Sequence, residues 1–223
     1  MNLLDCPDQA IIQTIQVNIL AHFWTIKAFL PDMIERNSGH IVTVSSAAGV
    51  IGLNKLTEYC ASKFACVGLD ESLRFELGML QKHGVHMTLA CPYYTDTGMF
   101  EGAQTRFPSI LPVLDTEFVA EKIVQAILCN QEVLYVPRIL YFIVALKGIL
   151  PAKCWSLVLQ FTGSGICHHN SFVNSVFLFL SGYLSISVCL FVCLSIYFSY
   201  FVNIYLSIYL SIYLSIYLSI LLC

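Results

Sequence analysis

The chain has 223 residues, 57% hydrophobic and 11% charged, against roughly 45–50% and about 25% in a typical soluble domain. With 11 basic and 14 acidic residues and a net charge of -3, it is not a disordered chain, a coiled coil or a basic nucleic-acid binder. Every Asp, Glu, Lys and Arg lies at or before Lys153. The chain therefore divides into an organised part, residues 1–163, and an uncharged apolar tail, residues 164–223.

Apolar residues recur at Ile11, Ile12, Ile15, Ile19, Phe23 and Ile26, a spacing that predicts one long helix from Asp8 to about Arg36. Pro31 is expected to bend it or to mark a helix–helix joint, and Asn37-Ser38-Gly39 ends it. His40 to Ser45 is a β-branched run and reads as a buried strand. A glycine-punctuated loop through Gly52 follows, then a second long helix from Leu56 to about Lys82. His86 to Cys91 reads as another buried strand, closed by Pro92. Residues 93–115 form a long connection, and Asp115 or Thr116 caps a helix running to Leu128. Val133–Val136 is the third strand, and Arg138 to Leu150 an apolar helix. Helices alternating with short buried strands imply an α/β fold, a parallel sheet covered on both faces.

The ten cysteines include no C-x-x-C pair, and no histidine pair stands at zinc spacing from a cysteine pair. Buried reduced thiols are expected, and no metal site. From Asn203 the tail repeats Ser-Ile-Tyr-Leu with a period of four, matching neither a coiled coil nor a strand. The tetranucleotide TCTA, read continuously, translates into that tetrapeptide, so a translated repeat entered near Gly163 is one reading. The other is a membrane span, because Phe172–Phe201 is apolar and long enough for a ~30 Å hydrocarbon core.

Chemistry-bearing residues fall at strand ends, where an open α/β sheet holds its ligands. Ser46 follows the first strand, Tyr59 comes 13 positions later, and Lys63 four after that, in Y-C-A-S-K. Residues i and i+4 share a helix face, so phenol and ammonium can point into one cleft. A cation beside a phenol favours phenolate and lowers its pKa toward the range useful for proton transfer. Ser45 and Ser46 are both also possible turn caps; the 13-residue offset favours Ser46 for the site.

The strand H-I-V-T-V-S-S, Ser46, Y-C-A-S-K and Asn18 within an upstream V-N together resemble the signature of the short-chain dehydrogenase/reductase family. The stretches A-H-F-W-T-I-K-A-F-L-P, Y-C-A-S-K-F, C-P-Y-Y-T-D-T-G-M-F-E-G and V-P-R-I-L-Y-F are similar to its membrane-associated retinol dehydrogenases, particularly the epidermal group (family 16C), and to hydroxysteroid-dehydrogenase relatives. The likeness runs from about Leu3 to Gly163. It implies the C-terminal part of a Rossmann-type doubly wound parallel sheet. It assigns Tyr59 as general acid/base and Ser46 as the holder of the substrate oxygen. Lys63 would bind the nicotinamide ribose and depress the Tyr59 pKa, and Asn18 would steady a water through a local helix irregularity. Pro92, Thr95 and Thr97 would contact the cofactor with Tyr59 and Lys63, although Tyr93 stands where glycine is usual.

The same likeness implies oxidation of an apolar alcohol, retinol or a steroid, with NAD, NADP remaining open. No G-x-x-x-G-x-G occurs before Asn18, so the expectation is a partial domain without its first βαβ units, inactive by itself. An inactive isoform or a membrane-binding fragment is the alternative function. The segment from Tyr93 to Leu114, rich in Met99, Phe100, Phe107, Ile110 and Leu111, is expected to close over an apolar substrate. The helix from Arg138, with cations at Arg138 and Lys147 and with Tyr141 and Phe142 between them, suits the membrane interface; a core helix is the alternative. These readings place the protein on the cytosolic side of endoplasmic-reticulum or lipid-droplet membrane, with a homodimer as an open partner state.

Overall fold

A computed structural model describes residues 1–97 and 107–162. Met99, Phe100, Glu101 and Arg106 of the expected substrate segment, and the whole tail from residue 164, lie outside the described residues.

The elements follow in the order α1 (Asp8–Ile15), a π-helical turn (Gln16–Leu20), α2 (Ala21–Arg36), β1 (Gly39–Val44), a short 3-10 turn (Ala47–Gly49), α3 (Thr57–Met79), β2 (Val85–Pro92), α4 (Thr116–Leu128), β3 (Val133–Val136), α5 (Ile139–Ile149) and α6 (Ala152–Thr162). Among the described residues the sheet has three strands in the order β1-β2-β3, both pairs parallel, with Val44 opposite Ala90 and Pro92 opposite Val136.

β2 is the central strand, and Met87 to Cys91 are all buried. Its alternation sends side chains to two covered faces. Val85 and Met87 meet Leu73 and Leu77 of α3 with Ile26, Leu30 and Met33 of α2. Ala90 instead meets Val119 and Ala126 of α4. This is the expected parallel sheet with both faces covered, and the α/β reading holds. A third cluster joins Ala47, Val50 and Ile51, just past β1, to Leu111, to Leu140 of α5 and to Trp155 of α6.

Two local expectations change and two open ones are decided. The long first helix is interrupted at Gln16–Leu20, where the irregularity expected around Asn18 falls, and not at Pro31, which sits inside α2. A proline ring disturbs only the carbonyl one turn before it, and α2 accommodates that without a break. α2 does stop where expected, with Asn37 in the left-handed conformation at φ 47°. α6 is an element the apolar pattern did not single out; it buries Trp155 against α5 and the loop after β1. Finally, Asp115 is the cap of α4: its carboxylate accepts from Phe118 N at 2.9 Å.

Candidate active site

The cleft opens beyond the C-terminal ends of β1 and β2, where strand direction and crossover helices leave room for a ligand. It has a volume of about 120 Å³. Its walls include Ser46 and Ala47 after β1, Tyr59 near the start of α3, and Pro92, Tyr93, Thr95 and Thr97 after β2.

Tyr59 and Lys63 lie one turn apart on α3, as i and i+4 residues do. The Lys63 ammonium sits over the Tyr59 ring, 5.8 Å from its centroid, and donates to the Val44 carbonyl at the end of β1 at 3.2 Å. Burial raises the Tyr59 pKa above its ordinary value, and a hydrogen bond with the Ser46 side chain pulls it the other way. Burial also lowers the Lys63 pKa, with Cys66 and Cys91 acting upward on it. The expected depression of the tyrosine by Lys63 is therefore corrected: desolvation, which favours the neutral phenol, is the largest influence on this hydroxyl. Lys63 meanwhile is engaged at the β1 terminus.

The two serines after β1 take different jobs. Ser46 caps the Ala47–Gly49 turn, its Oγ accepting from Ala48 N at 3.1 Å, and the same side chain bonds Tyr59 in the cleft. It is both cap and site residue. Ser45 is buried, and its hydroxyl donates to the Lys63 carbonyl at 3.0 Å, which ties β1 to α3.

Asn18 sits in the π turn. A π turn shifts the hydrogen-bond ladder by one residue and is frequent at functional sites. Here the Asn18 amide donates to Ser62 Oγ at 3.0 Å, and Ser62 donates in turn to the Tyr59 carbonyl at 2.7 Å. The Asn18 carbonyl accepts from Cys66 Sγ at 3.0 Å. Asn18 is thus joined to α3 directly beneath Tyr59, through two α3 side chains that are both fully inaccessible to solvent.

Pro92, Thr95 and Thr97 all line the cleft. Thr95 Oγ1 donates to the Tyr93 carbonyl at 3.1 Å, and Thr95 forms a bridge with Leu114 across the base of the connection. Of the five residues expected at the cofactor's reacting end, Tyr59, Pro92, Thr95 and Thr97 line the cleft, and Lys63 stands beside Tyr59 with its ammonium on the Val44 carbonyl.

Ser62, Cys66 and Gly49 were not singled out by motif spacing. Ser62 lies inside Y-C-A-S-K, one position before the lysine, but no local pattern says that it faces Asn18, 44 positions upstream. Gly49 had a usable signal, a glycine directly after the strand-end serines. A Cβ there would run into Ser45 Oγ and the Lys63 carbonyl, so only glycine lets this turn lie against α3.

Among the described residues no group of three or more His, Cys, Asp and Glu side chains could hold a metal ion. Cys6, Cys60, Cys66 and Cys91 are free and buried.

Residues 1–106 match the short chain dehydrogenase family. Mouse epidermal retinol dehydrogenase 2 is 49% identical over 162 residues, which cover 73% of this chain and 52% of the mouse protein. Bovine short-chain dehydrogenase/reductase family 16C member 6 is 45% identical over 163 residues, 73% of this chain and 52% of that protein. Human retinol dehydrogenase 10 is 44% identical over 168 residues, 74% and 49%. The chain thus spans about half the length of the curated relatives it matches. Among solved structures, a short chain dehydrogenase/reductase from Burkholderia phymatum in complex with NAD aligns with a TM-score of 0.55 at 22% identity, covering 66% of this chain and 60% of that one. One from Burkholderia cenocepacia in complex with NADP aligns at 0.56 and 21%, covering 69% and 60%. Both show the same fold.

Proposed function

We propose, from the premise that residues 1–106 belong to the short-chain dehydrogenase/reductase family, that this chain carries the reacting half of an oxidoreductase that interconverts an apolar alcohol and its carbonyl. Retinol is the favoured substrate, because two of the relatives similar in sequence, the mouse epidermal enzyme and human retinol dehydrogenase 10, are named for it. The observation that supports the chemistry best is the hydrogen bond between Ser46 and Tyr59 in a cleft at the strand ends, with Lys63 one turn away.

When bound, a nicotinamide cofactor, NAD or NADP, supplies or accepts the hydride at the carbinol carbon. The rest falls to side chains of this chain. Ser46 holds the substrate oxygen beside the Tyr59 hydroxyl. As a neutral phenol, which burial favours, Tyr59 gives its proton to the carbonyl oxygen in reduction. As phenolate it takes the hydroxyl proton in oxidation. Lys63 would hold the cofactor's sugar hydroxyls, and Pro92, Thr95 and Thr97, which line the cleft, would contact its carboxamide end. The donor set fits such a group: hydroxyls and an ammonium at the ends of parallel strands.

These 223 residues contain no G-x-x-x-G-x-G turn, the backbone cradle that a strand–helix junction offers a pyrophosphate. By themselves they bind the cofactor weakly. Fused behind the N-terminal half of a relative, the chain is expected to oxidise all-trans-retinol with NAD or NADP and to ignore sugar alcohols. Lys63→Met in that fusion raises the cofactor KM and lowers kcat together. A fusion that folds and prefers a hydrophilic alcohol overturns the reading.

Membrane association is part of the same proposal. Along α5, Tyr141, Phe142 and Ile149 are exposed while Leu140 is buried, so one face packs on the core and the other presents aromatic and aliphatic groups outward. Of the two cations expected to flank that face, only Arg138 is available, because Lys147 turns inward to the Val50 carbonyl at 2.5 Å. No described helix is long and apolar enough to cross a membrane. An interfacial helix on a cytosol-facing surface of endoplasmic reticulum or a lipid droplet is the arrangement this face supports. Phe142→Glu is expected to reduce flotation of the full chain with phospholipid vesicles; unchanged flotation counts against α5 as the contact.

A further inference from the structure

β1 and β2 both run toward the cleft, so their N-terminal ends lie at the opposite edge of the sheet. There His40 and His86 are each the second residue of their strand, and the parallel register sets them directly opposite one another. Neighbouring strands stand ~4.8 Å apart, so the two imidazoles meet. Their ring centroids are 5.9 Å apart and the planes are tilted by 50°. His86 is exposed and His40 half-buried, which leaves the pair open to small solutes.

A third residue on β2 fixes the state of one ring. Thr88 is fully inaccessible, and its hydroxyl has a single proton, which it donates to the Gln131 carbonyl at 2.8 Å. Toward His40 Nε2, 2.9 Å away, Thr88 Oγ1 therefore acts as acceptor. His40 is held with its proton on Nε2, and Nδ1 keeps a bare lone pair. One ring nitrogen tied to an oxygen acceptor while the other keeps its lone pair is the arrangement of a metal-binding histidine and its outer partner. An ion bound at ~2.0–2.1 Å by one nitrogen from each of two imidazoles holds their ring centroids ~5–6 Å apart, and the observed 5.9 Å lies in that range.

We propose that His40 and His86 form a two-imidazole site for a divalent transition ion such as Zn²⁺, with Thr88 as the positioning residue that sets the His40 tautomer. Two protein ligands make this a smaller donor set than the clusters of three or more that are absent among the described residues, and water fills the other coordination positions. The donors select the ion: imidazole nitrogen suits Zn²⁺, Ni²⁺ and Cu²⁺, whereas Mg²⁺ and Ca²⁺ take oxygen ligands. The bound ion ties β1 to β2 at the end of the sheet away from Ser46 and Tyr59. Its effect is on the strand pair, and the site stands whether or not the cleft is that of a dehydrogenase.

The experiment titrates Zn²⁺ into the full 223-residue chain in detergent against a chromophoric chelator, with a phosphine reductant that keeps the thiols reduced and leaves the ion free. The cysteines and the remaining histidines are common to every variant, so differences between variants report this pair. His86→Gln is expected to lower the Zn²⁺ stoichiometry by a whole ion per chain, and excess Mg²⁺ should leave that ion in place on the wild-type chain. Zn²⁺ should raise the unfolding midpoint of the wild-type chain more than that of His86→Gln. Thr88→Val, close in shape but without the hydroxyl, should weaken the site about 10–100-fold, while Thr88→Ser, which keeps the hydroxyl, should hold it within about threefold. His86 is exposed, so its replacement spares the core and decides the matter even where Thr88→Val fails to fold. Unchanged Zn²⁺ stoichiometry and affinity in His86→Gln, or displacement of the ion by Mg²⁺, overturns the site. Equal affinity in Thr88→Val and Thr88→Ser overturns the part given to Thr88.

Discussion

The two halves of α3 use buried polar groups in opposite ways. In the second half, Asp70 and Arg74 pair at 2.6 Å, with the Asp70 side chain about 1% exposed. Arg74 also donates to the Met87 carbonyl at 3.0 Å and the Glu132 carbonyl at 3.1 Å, so one guanidinium ties α3 to β2 and to the approach to β3. In the first half, Tyr59 and Lys63 carry pKa values displaced by burial, and Tyr59 lines the cleft with the Lys63 ammonium 5.8 Å from its ring centroid. The far half pairs its buried carboxylate with a guanidinium of the same helix and fixes the fold. The near half keeps a phenol and an ammonium where a ligand can complete their contacts. Perturbed groups in a cleft are the mark of chemistry, and a closed ion pair that of architecture.

The sharpest way to break that contrast is a reciprocal pair of substitutions. Tyr59→Phe keeps the ring and is expected to leave the unfolding midpoint of the full chain within about 2 °C, while it lowers turnover of the fusion 10²–10⁴-fold, the usual size of a lost general acid/base. Arg74→Ala should do the reverse. It strands the Asp70 carboxylate, whose Oδ1 already has no hydrogen-bond partner among the described residues, and costs about 3 kcal/mol of stability with KM for the alcohol little changed. Denaturant unfolding and steady-state kinetics on both variants check this. If Tyr59→Phe destabilises and Arg74→Ala does not, the division of α3 is wrong.

A smaller effect sharpens the boundary between the halves. Gly49→Ala pushes a Cβ toward Ser45 Oγ and the Lys63 carbonyl, and overpacking of this kind costs about 2 kcal/mol. Because the turn it displaces begins at Ser46, kcat is expected to fall as well, by about tenfold. Loss of stability at unchanged kcat would make Gly49 a packing residue only.

What could be read in advance was local. β1, β2 and β3 are short β-branched or apolar runs, and the helices between them carry a 3.6-residue period, so the layering followed from pattern alone. Tyr59 and Lys63 were visible because four residues of helix bring them to one face. What the chain's pattern hides is contact across distance. Lys147 reads as a flanking cation until Val50, 97 positions away, accepts from it. Cys66 reads as one more apolar thiol until its Sγ meets the Asn18 carbonyl. The displaced Tyr59 pKa is a consequence of burial by several elements at once, which no spacing encodes and which the sequence argument from the neighbouring cation left out.

The last and smallest test concerns Cys91, at the end of β2 where the two behaviours meet. Its side chain is inaccessible, and burial pushes the thiol from 9.0 up to about 12, against hydrogen bonds from Ser45 and Ser46 that act downward. Below about pH 9 the thiol is protonated in both folded and unfolded chains and pH has no leverage through it. Between 9 and about 12 the unfolded chain gives up this proton while the folded chain keeps it. The folded state then binds more protons, so stability falls as pH rises, by at most about 1.4 kcal/mol per pH unit for one group. Tyr93, pushed up to about 12 by burial, adds the same sign at higher pH. Cys91→Ala removes only the first contribution. Under reducing conditions its unfolding free energy should decline less steeply between pH 9 and about 11 than that of the wild-type chain, even if the small cavity lowers it at neutral pH. Parallel slopes would mean that the Cys91 proton is no more tightly held in the folded chain than in the unfolded one, and that the strand end is wetter than its packing indicates.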